Sequence, residues 1–242
     1  MIAVGDLGSA EPLVRQLDDK AALALAVPNA LDPRLALAWA EGVRAAREAW
    51  IESFNGDQHS LGRAWYTDLE LDRTDDYFAE AERSNALVEA ACPGLQEAMR
   101  VLVAKACGGA VVQRPGWCGS GVHIFPAGGH VAKVGGEIHY DSEGLTPAHC
   151  AARAPALTIV LMLDPPVSGG GLKVWDVRYR GTDEVTDEDL AQRSVVCEYG
   201  VADLVLIDSY RLHQIQPFGG DKDRISATCH AAFVAGEWET WF

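Results

Sequence analysis

Basic residues are scarce in this chain. Twenty Lys and Arg stand against 35 Asp and Glu, a formal charge of −15. A phosphate backbone or an anionic bilayer demands a clustered positive surface, so the balance argues against nucleic acid and membranes as partners. The acidity itself reads as solubility rather than as a claim about substrate. Paired cysteines are missing too. Cys92, Cys107, Cys118, Cys150, Cys197 and Cys229 are scattered without a C-x-x-C pair, which removes a zinc knuckle and a dithiol redox motif and points to reduced thiols in a cytoplasm. No apolar run approaches the roughly 18 residues of a membrane span. The stretch from Met1 to Gly8 lacks the basic start and long apolar run of a secretion signal. There is no internal repeat, and the glycine pairs at 108–109, 128–129 and 135–136 match neither a P-loop nor a dinucleotide fingerprint; they read as turns.

What is present divides the chain in two. A length of 242 residues buries a sizeable core and fits one domain, 1–242. Residues 10 to 27 and 32 to 54 are rich in Ala, Leu, Arg and Glu and read as helices, the second opening on Asp32 as N-cap and Pro33 at the first helical position. A polar stretch from Asn55 to Gly62 ends it, and Ala64 to Asp76 reads as an irregular strand. A further helical block runs from about Tyr77 to Cys107, broken at Pro93–Gly94. From about Ala110, Gly, Val, Ile and Thr recur in short runs between turns, the pattern of a barrel or jelly roll. Thr182 to Asp189 is an acidic insertion that reads as a solvated loop leading into a short helix capped by Thr186. The expectation is an α+β fold: a mainly helical layer over 1–109, a double-stranded β-helix (cupin-like jelly roll) over 110–236 and an aromatic tail over 237–242.

The most informative residues are His139 and Asp141. On an extended segment they point to one face while Tyr140 turns away. Among so many acids, chance alone gives about one His-x-acid pair, so context must carry the reading. Val201 to Ile207 is an apolar, β-branched run, Asp208 to Arg211 reads as a turn, and His213 follows. A third ligand from His213 completes a two-histidine, one-carboxylate facial triad, which leaves metal positions open for ligands. Eleven residues further on, Arg224 to Val234 reads as a strand. Arg224, Ser226, Thr228 and His230 share one face, and Ile225, Ala227, Cys229 and Ala231 the other. Inside a barrel, an Arg with a Ser two residues later suits a carboxylate. His123, His130 and His149 read as structural, and His59 as solvated.

His139-x-Asp141, His213 and Arg224-x-Ser226, in this order, resemble the Fe(II)/2-oxoglutarate-dependent oxygenase superfamily. The stretch from Leu163 to Asp176 resembles the segment linking two core strands in its small bacterial amino-acid hydroxylases and halogenases. The likeness spans roughly residues 120 to 235. It implies that His139, Asp141 and His213 hold Fe(II), and that Arg224 and Ser226 bind the distal carboxylate of 2-oxoglutarate. It further implies that O2 is consumed as a C–H bond of a small substrate, an amino acid or its derivative, is hydroxylated. Halogenating members replace the triad carboxylate with Gly or Ala; Asp141 is retained here, which favours hydroxylation. For substrate contacts the sequence offers Thr228 and His230 beyond Ser226, the aromatics Trp175, Trp238 and Trp241, and Arg73 as a carboxylate clamp. A cupin-type metal dioxygenase without 2-oxoglutarate, or a barrel that only binds a small ligand, remain as alternatives; Arg224-x-Ser226 speaks against the first and the triad against the second.

Overall fold

The computed structural model describes residues 1–9, 11–18 and 22–242. At its centre is a large, mainly antiparallel sheet. Its strands run in the order Ile2–Val4, Ala24–Val27, Leu204–Asp208, Ala156–Asp164, Arg224–Val234, Gly121–Phe125, Gln58–Leu61 and Ile51–Ser53. Arg224–Val234 holds this sheet together. One of its edges pairs with Ala156–Asp164 along nearly its whole length, while the other pairs first with Gly121–Phe125 and then with Glu237–Trp241. A second sheet, Ser194–Cys197, Leu172–Arg178 and Arg211–Ile215, contributes Leu172 and Val174 to a cluster with Val205 and Ile207 of the first. The α+β class expected from the sequence is the one found.

Alternation explains how the large sheet serves two purposes. All nine residues of Ala156–Asp164 are buried. Ile159, Leu161 and Leu163 join the main core, whereas Thr158 and Val160 line a cavity on the opposite face. The core side is covered by two amphipathic helices. Pro33–Ala45 buries Ala36, Trp39, Ala40 and Val43, and Leu95–Cys107 buries Leu95, Met99, Leu102, Val103 and Ala106, stripes at helical spacing. Each large side chain so buried contributes about 1.5–3 kcal/mol. Gly42 is required at the helix contact: a Cβ there would lie 1.9 Å from the Ala91 carbonyl oxygen. The break at Pro93–Gly94 falls where expected, and the Pro93 carbonyl accepts from the Trp39 indole at 3.0 Å.

Asp32 caps its helix through the Arg34 amide, and Thr186 forms a capping box with Asp189 ahead of Asp187–Leu190. Other expectations fail. Among the described residues of 10–27 the helix is Arg15–Asp18, and Ala24–Val27 is a strand; residues 10 and 19–21 lie outside the described residues. Ala24–Val27 is strand because it is inserted between Ile2–Val4 and Leu204–Leu206, and that pairing outweighs the helix propensity of Ala and Leu. The helix from residue 32 stops at Ala45, and Ile51–Ser53 pairs with Gln58–Leu61 as a hairpin. The region 64–76 is helical, at Trp65–Glu70 and from Thr74, not a strand. The segment before residue 110 therefore supplies strands as well as helices, and the C-terminal aromatic segment is itself a strand, Glu237–Trp241. No helix among the described residues is long and apolar enough to cross a membrane.

Candidate metal centre and its cavity

His139 and His213 are held face to face by their main chains. Each donates its amide to the other's carbonyl, at 3.1 and 3.0 Å, and the Asp141 amide donates to the Ser209 carbonyl at 3.0 Å. The segment around His139 is thus extended but not a regular strand: it touches Arg211–Ile215 through a single bridge. The alternation survives, and Tyr140 turns into a cluster with Trp175, Val177 and Leu212.

The side chains converge from this frame. The Nδ1 of His139 lies 2.9 Å from the Glu137 carbonyl and the Nδ1 of His213 2.9 Å from the Arg211 carbonyl. A carbonyl can only accept, so each Nδ1 carries a proton and each Nε2 is the ring atom turned inward. Those Nε2 atoms stand 3.4 and 3.1 Å from the two oxygens of Asp141, and one ligand atom from each residue falls within 4.8 Å of the others. Thr158 donates to the Asp141 carboxylate and shares a 3.0 Å hydrogen bond with Ser209, which fixes the carboxylate plane. Burial works against charge on both partners, yet the field of His213 and His230 holds Asp141 well below the usual carboxylate range. Burial likewise opposes a charged His139, but the Asp141 carboxylate overrides it and raises that imidazole to about 9. A cation in the centre of the three would take the place of that proton.

Arg224 occupies the floor of the same cavity, 1% exposed. It donates to the Ser226 hydroxyl at 3.0 Å and the Gly170 carbonyl at 3.1 Å, between the rings of Phe125 and Tyr199. Among the described residues no carboxylate forms an ion pair with it, and burial pulls its pKa down. The cavity measures about 510 Å³, within the range of small-molecule sites.

No family model matches the sequence, and no curated protein matches it either. Solved structures do. An N-substituted L-amino acid dioxygenase from Burkholderia ambifaria shares 15% identity at a TM-score of 0.58, over 95% of this chain and 90% of that one. The non-haem α-ketoglutarate-dependent carbocyclase SnoK of nogalamycin biosynthesis shares 14% at 0.58, over 97% and 96%. A prolyl hydroxylase from Trichoplax adhaerens shares 14% at 0.52, over 90% and 86%. The fold is that of the 2-oxoglutarate-dependent oxygenases.

Within this oxygenase fold, the inward face expected for Arg224, Ser226, Thr228 and His230 is the face that lines the cavity, while Ile225, Ala227, Cys229 and Ala231 enter the core. The remaining candidates lie elsewhere. Arg73 pairs with Asp68 at 2.9 Å, outside the cavity wall. Trp175 is buried beneath Asp187–Leu190, donating to the Leu190 carbonyl. Trp238 belongs to the main core. Trp241 reaches the wall only indirectly, stacked behind His230 at 5.9 Å.

Sequence reading passed over part of the wall. His123 lies across from Ser226 in the sheet and faces the cavity; burial, then His230, drive its pKa down to about 3, so it is a neutral imidazole. Gln58 connects His123 (3.2 Å) to the Tyr66 hydroxyl (2.5 Å). The alternation of Gly121–Phe125, with Val122 and Ile124 on the core face and His123 and Phe125 on the other, was the available signal. His130 also lines the cavity, whereas His149 sits beside the Pro155 carbonyl away from it. His59 is half-buried against Trp50 at 5.6 Å rather than solvated.

Proposed function

We propose that the chain is an Fe(II)- and 2-oxoglutarate-dependent dioxygenase that hydroxylates a C–H bond of a small polar substrate, an amino acid or its derivative. One observation carries the reading: the cavity that brings His139, Asp141 and His213 together also holds a buried guanidinium, Arg224, with a serine hydroxyl beside it and, among the described residues, no carboxylate paired with it. The donor set fits the metal. Two neutral imidazoles and one carboxylate suit Fe(II) and leave coordination positions free. The Arg224–Ser226 pair fits a carboxylate, through charge-assisted hydrogen bonds. Bound iron, with O2 and 2-oxoglutarate, supplies the oxidising power, the cosubstrate leaving as succinate and CO2.

The chain's own residues do the positioning. His139 and His213 turn their Nε2 atoms to the metal position because main-chain carbonyls hold their Nδ1 protons, and Thr158 keeps Asp141 in plane. Arg224 and Ser226 fix the far end of the cosubstrate. Gln58, Tyr66 and His123 form a hydrogen-bonding wall on which a polar substrate is oriented, and orientation decides which C–H bond reacts. Asp141 supports hydroxylation over halogenation, because its carboxylate holds the position a halide would need.

The test is succinate release and O2 uptake across a panel of free and derivatised amino acids, with and without 2-oxoglutarate, in chloride buffer. A product heavier by one oxygen, formed only with both iron and 2-oxoglutarate, is the expected outcome. Oxygen uptake that ignores 2-oxoglutarate would refute the cosubstrate, and a chlorine isotope pattern would refute hydroxylation.

A further inference from the structure

The cavity is charged differently at its floor and at its mouth. Arg224 is the one Arg or Lys among the described residues that line it. Towards solvent, the lining carries Asp57, Glu70, Glu137 and Glu143. Glu70 and Glu137 are exposed, Asp57 and Glu143 half-buried, and all four line the one cavity. None of the four forms an ion pair among the described residues, although acids elsewhere commonly do, as Glu41 does with Arg44, Glu97 with Arg100 and Glu239 with Arg114. Deeper in, the Nδ1 of His230 has no hydrogen-bond partner, an Asp141 oxygen standing 4.0 Å away, and this residue, 9% exposed, lines the cavity. Phe54 and Tyr66 add aromatic surface to the wall.

Resting on the proposed function, we infer that the substrate is a cation: an ammonium group on a partly apolar or aromatic skeleton, with no free carboxylate. Unpaired carboxylates at Asp57, Glu70 and Glu137, around a cleft with low-dielectric walls, focus a negative potential on whatever enters; burial pushes Glu143 up to about 7, so it adds less. A substrate amine is drawn by that field, and His230 Nδ1 can accept one of its N–H bonds. A substrate carboxylate meets the opposite. Arg73, the residue suited by type to clamp one, is tied to Asp68 outside the wall, and Arg224 is engaged at the floor. The cosubstrate would escape this penalty, because its two carboxylates would be met beyond the mouth, by a metal held on His139, Asp141 and His213 and by Arg224. Within the amino-acid class the inference selects derivatives whose carboxyl group is masked or absent.

The experiment compares three probes of similar skeleton, phenethylamine, N-acetylphenethylamine and 3-phenylpropanoate, by titration calorimetry on Fe(II)-loaded protein with 2-oxoglutarate under argon. Phenethylamine is expected to bind at least tenfold more tightly than either neutral amide or acid, and to weaken as salt rises. Each exposed carboxylate contributes about a factor of two to five, so Glu70→Gln alone reduces the preference and Glu70→Gln/Glu137→Gln removes most of it. Equal affinity for amine and acid, no binding of the amine, or a preference unchanged in the double variant would each overturn the inference. The 2-oxoglutarate affinity of each sample is read separately. Its absence in the unmodified protein counts against the proposed function, whereas normal 2-oxoglutarate binding without a cation preference counts against this inference alone.

Discussion

Arg224→Met separates the structural cost of the buried guanidinium from its use. Taking an ion out of water costs several kcal/mol even after relaxation. Against that, Arg224 makes two hydrogen bonds, to Gly170 and Ser226, and sits between Phe125 and Tyr199. Charged hydrogen bonds return about 1.5–3 kcal/mol each and ring contacts about 0.5–1 kcal/mol. These terms nearly cancel, so methionine, an apolar residue of related length, should leave the ligand-free protein within about 2 kcal/mol of the original. For a chain of this size each kcal/mol moves Tm by about 2–4 °C, which bounds the change at about 8 °C. Cosubstrate breaks the symmetry. At a hundred times its Kd, 2-oxoglutarate should stabilise the unmodified metal-loaded protein by about 2.7 kcal/mol, a rise of about 5–11 °C, and the variant by nothing. Thermal melts with and without 2-oxoglutarate, in Mn(II)-loaded protein, measure all four states. An undiminished 2-oxoglutarate shift in Arg224→Met, or a ligand-free variant destabilised by more than about 5 kcal/mol, would refute the reasoning.

Further expectations concern the metal, the protons and the core. His213→Ala should abolish stoichiometric Fe(II) binding, read by metal analysis after gel filtration, and with it all turnover; retained iron and activity would remove His213 from the ligand set. Because His139 is raised from 6.5 to about 9 in the folded, metal-free protein, its contribution to stability is fully present below pH 6.5 and is lost as pH rises through about 9. Melts in chelator should therefore fall over that window and melts of metal-loaded protein should not. Metal binding at pH 7 should release a proton, visible as buffer-dependent calorimetric heats. Phe242 is fully buried, its carbonyl accepting from the Trp65 amide and the Tyr77 hydroxyl and its ring 4.7 Å from His123. Phe242→Ala should cost about 3–5 kcal/mol in chemical denaturation, and a loss below 1 kcal/mol would show that the surroundings collapse onto the site.

What was legible in the sequence was local or strictly periodic. Asp32–Pro33, Pro93–Gly94 and Thr186 announce helix ends through the chemistry of a few adjacent atoms, and the period of two in Arg224–Val234 sorts the cavity face from the core face without any partner being known. What was not legible depends on partners far along the chain. Ala24–Val27 is a strand only because Leu204–Leu206 and Ile2–Val4 lie on either side of it. Gln58 acquires meaning only beside His123, 65 residues away. The size and aromaticity of Trp175, Trp238 and Trp241 say as much about core packing as about ligand contact, and all three are buried. The charge of Arg73 is legible in the sequence, but its pairing with Asp68, five residues earlier, is not.

The long central strand also constrains how such a site can change over generations. Arg224, Ser226, Thr228 and His230 hang from one side like teeth of a comb, about 6.6 Å apart. A point substitution exchanges one tooth and leaves the others at their depths, so substrate contacts can drift while cosubstrate contacts hold. A one-residue insertion after Ser226 would instead swing Thr228 and His230 into the hydrophobic core and bring apolar neighbours to face the ligand. The strand can be lengthened or shortened only in steps of two. The irregularity between Ile225 and Ser226, where pairing with Ala156–Asp164 shifts, is the one place along it where a mismatch is already absorbed. Insertions that divide relatives of this chain should therefore collect there and in the flanking turns, and be missing from Ser226 to Ala232.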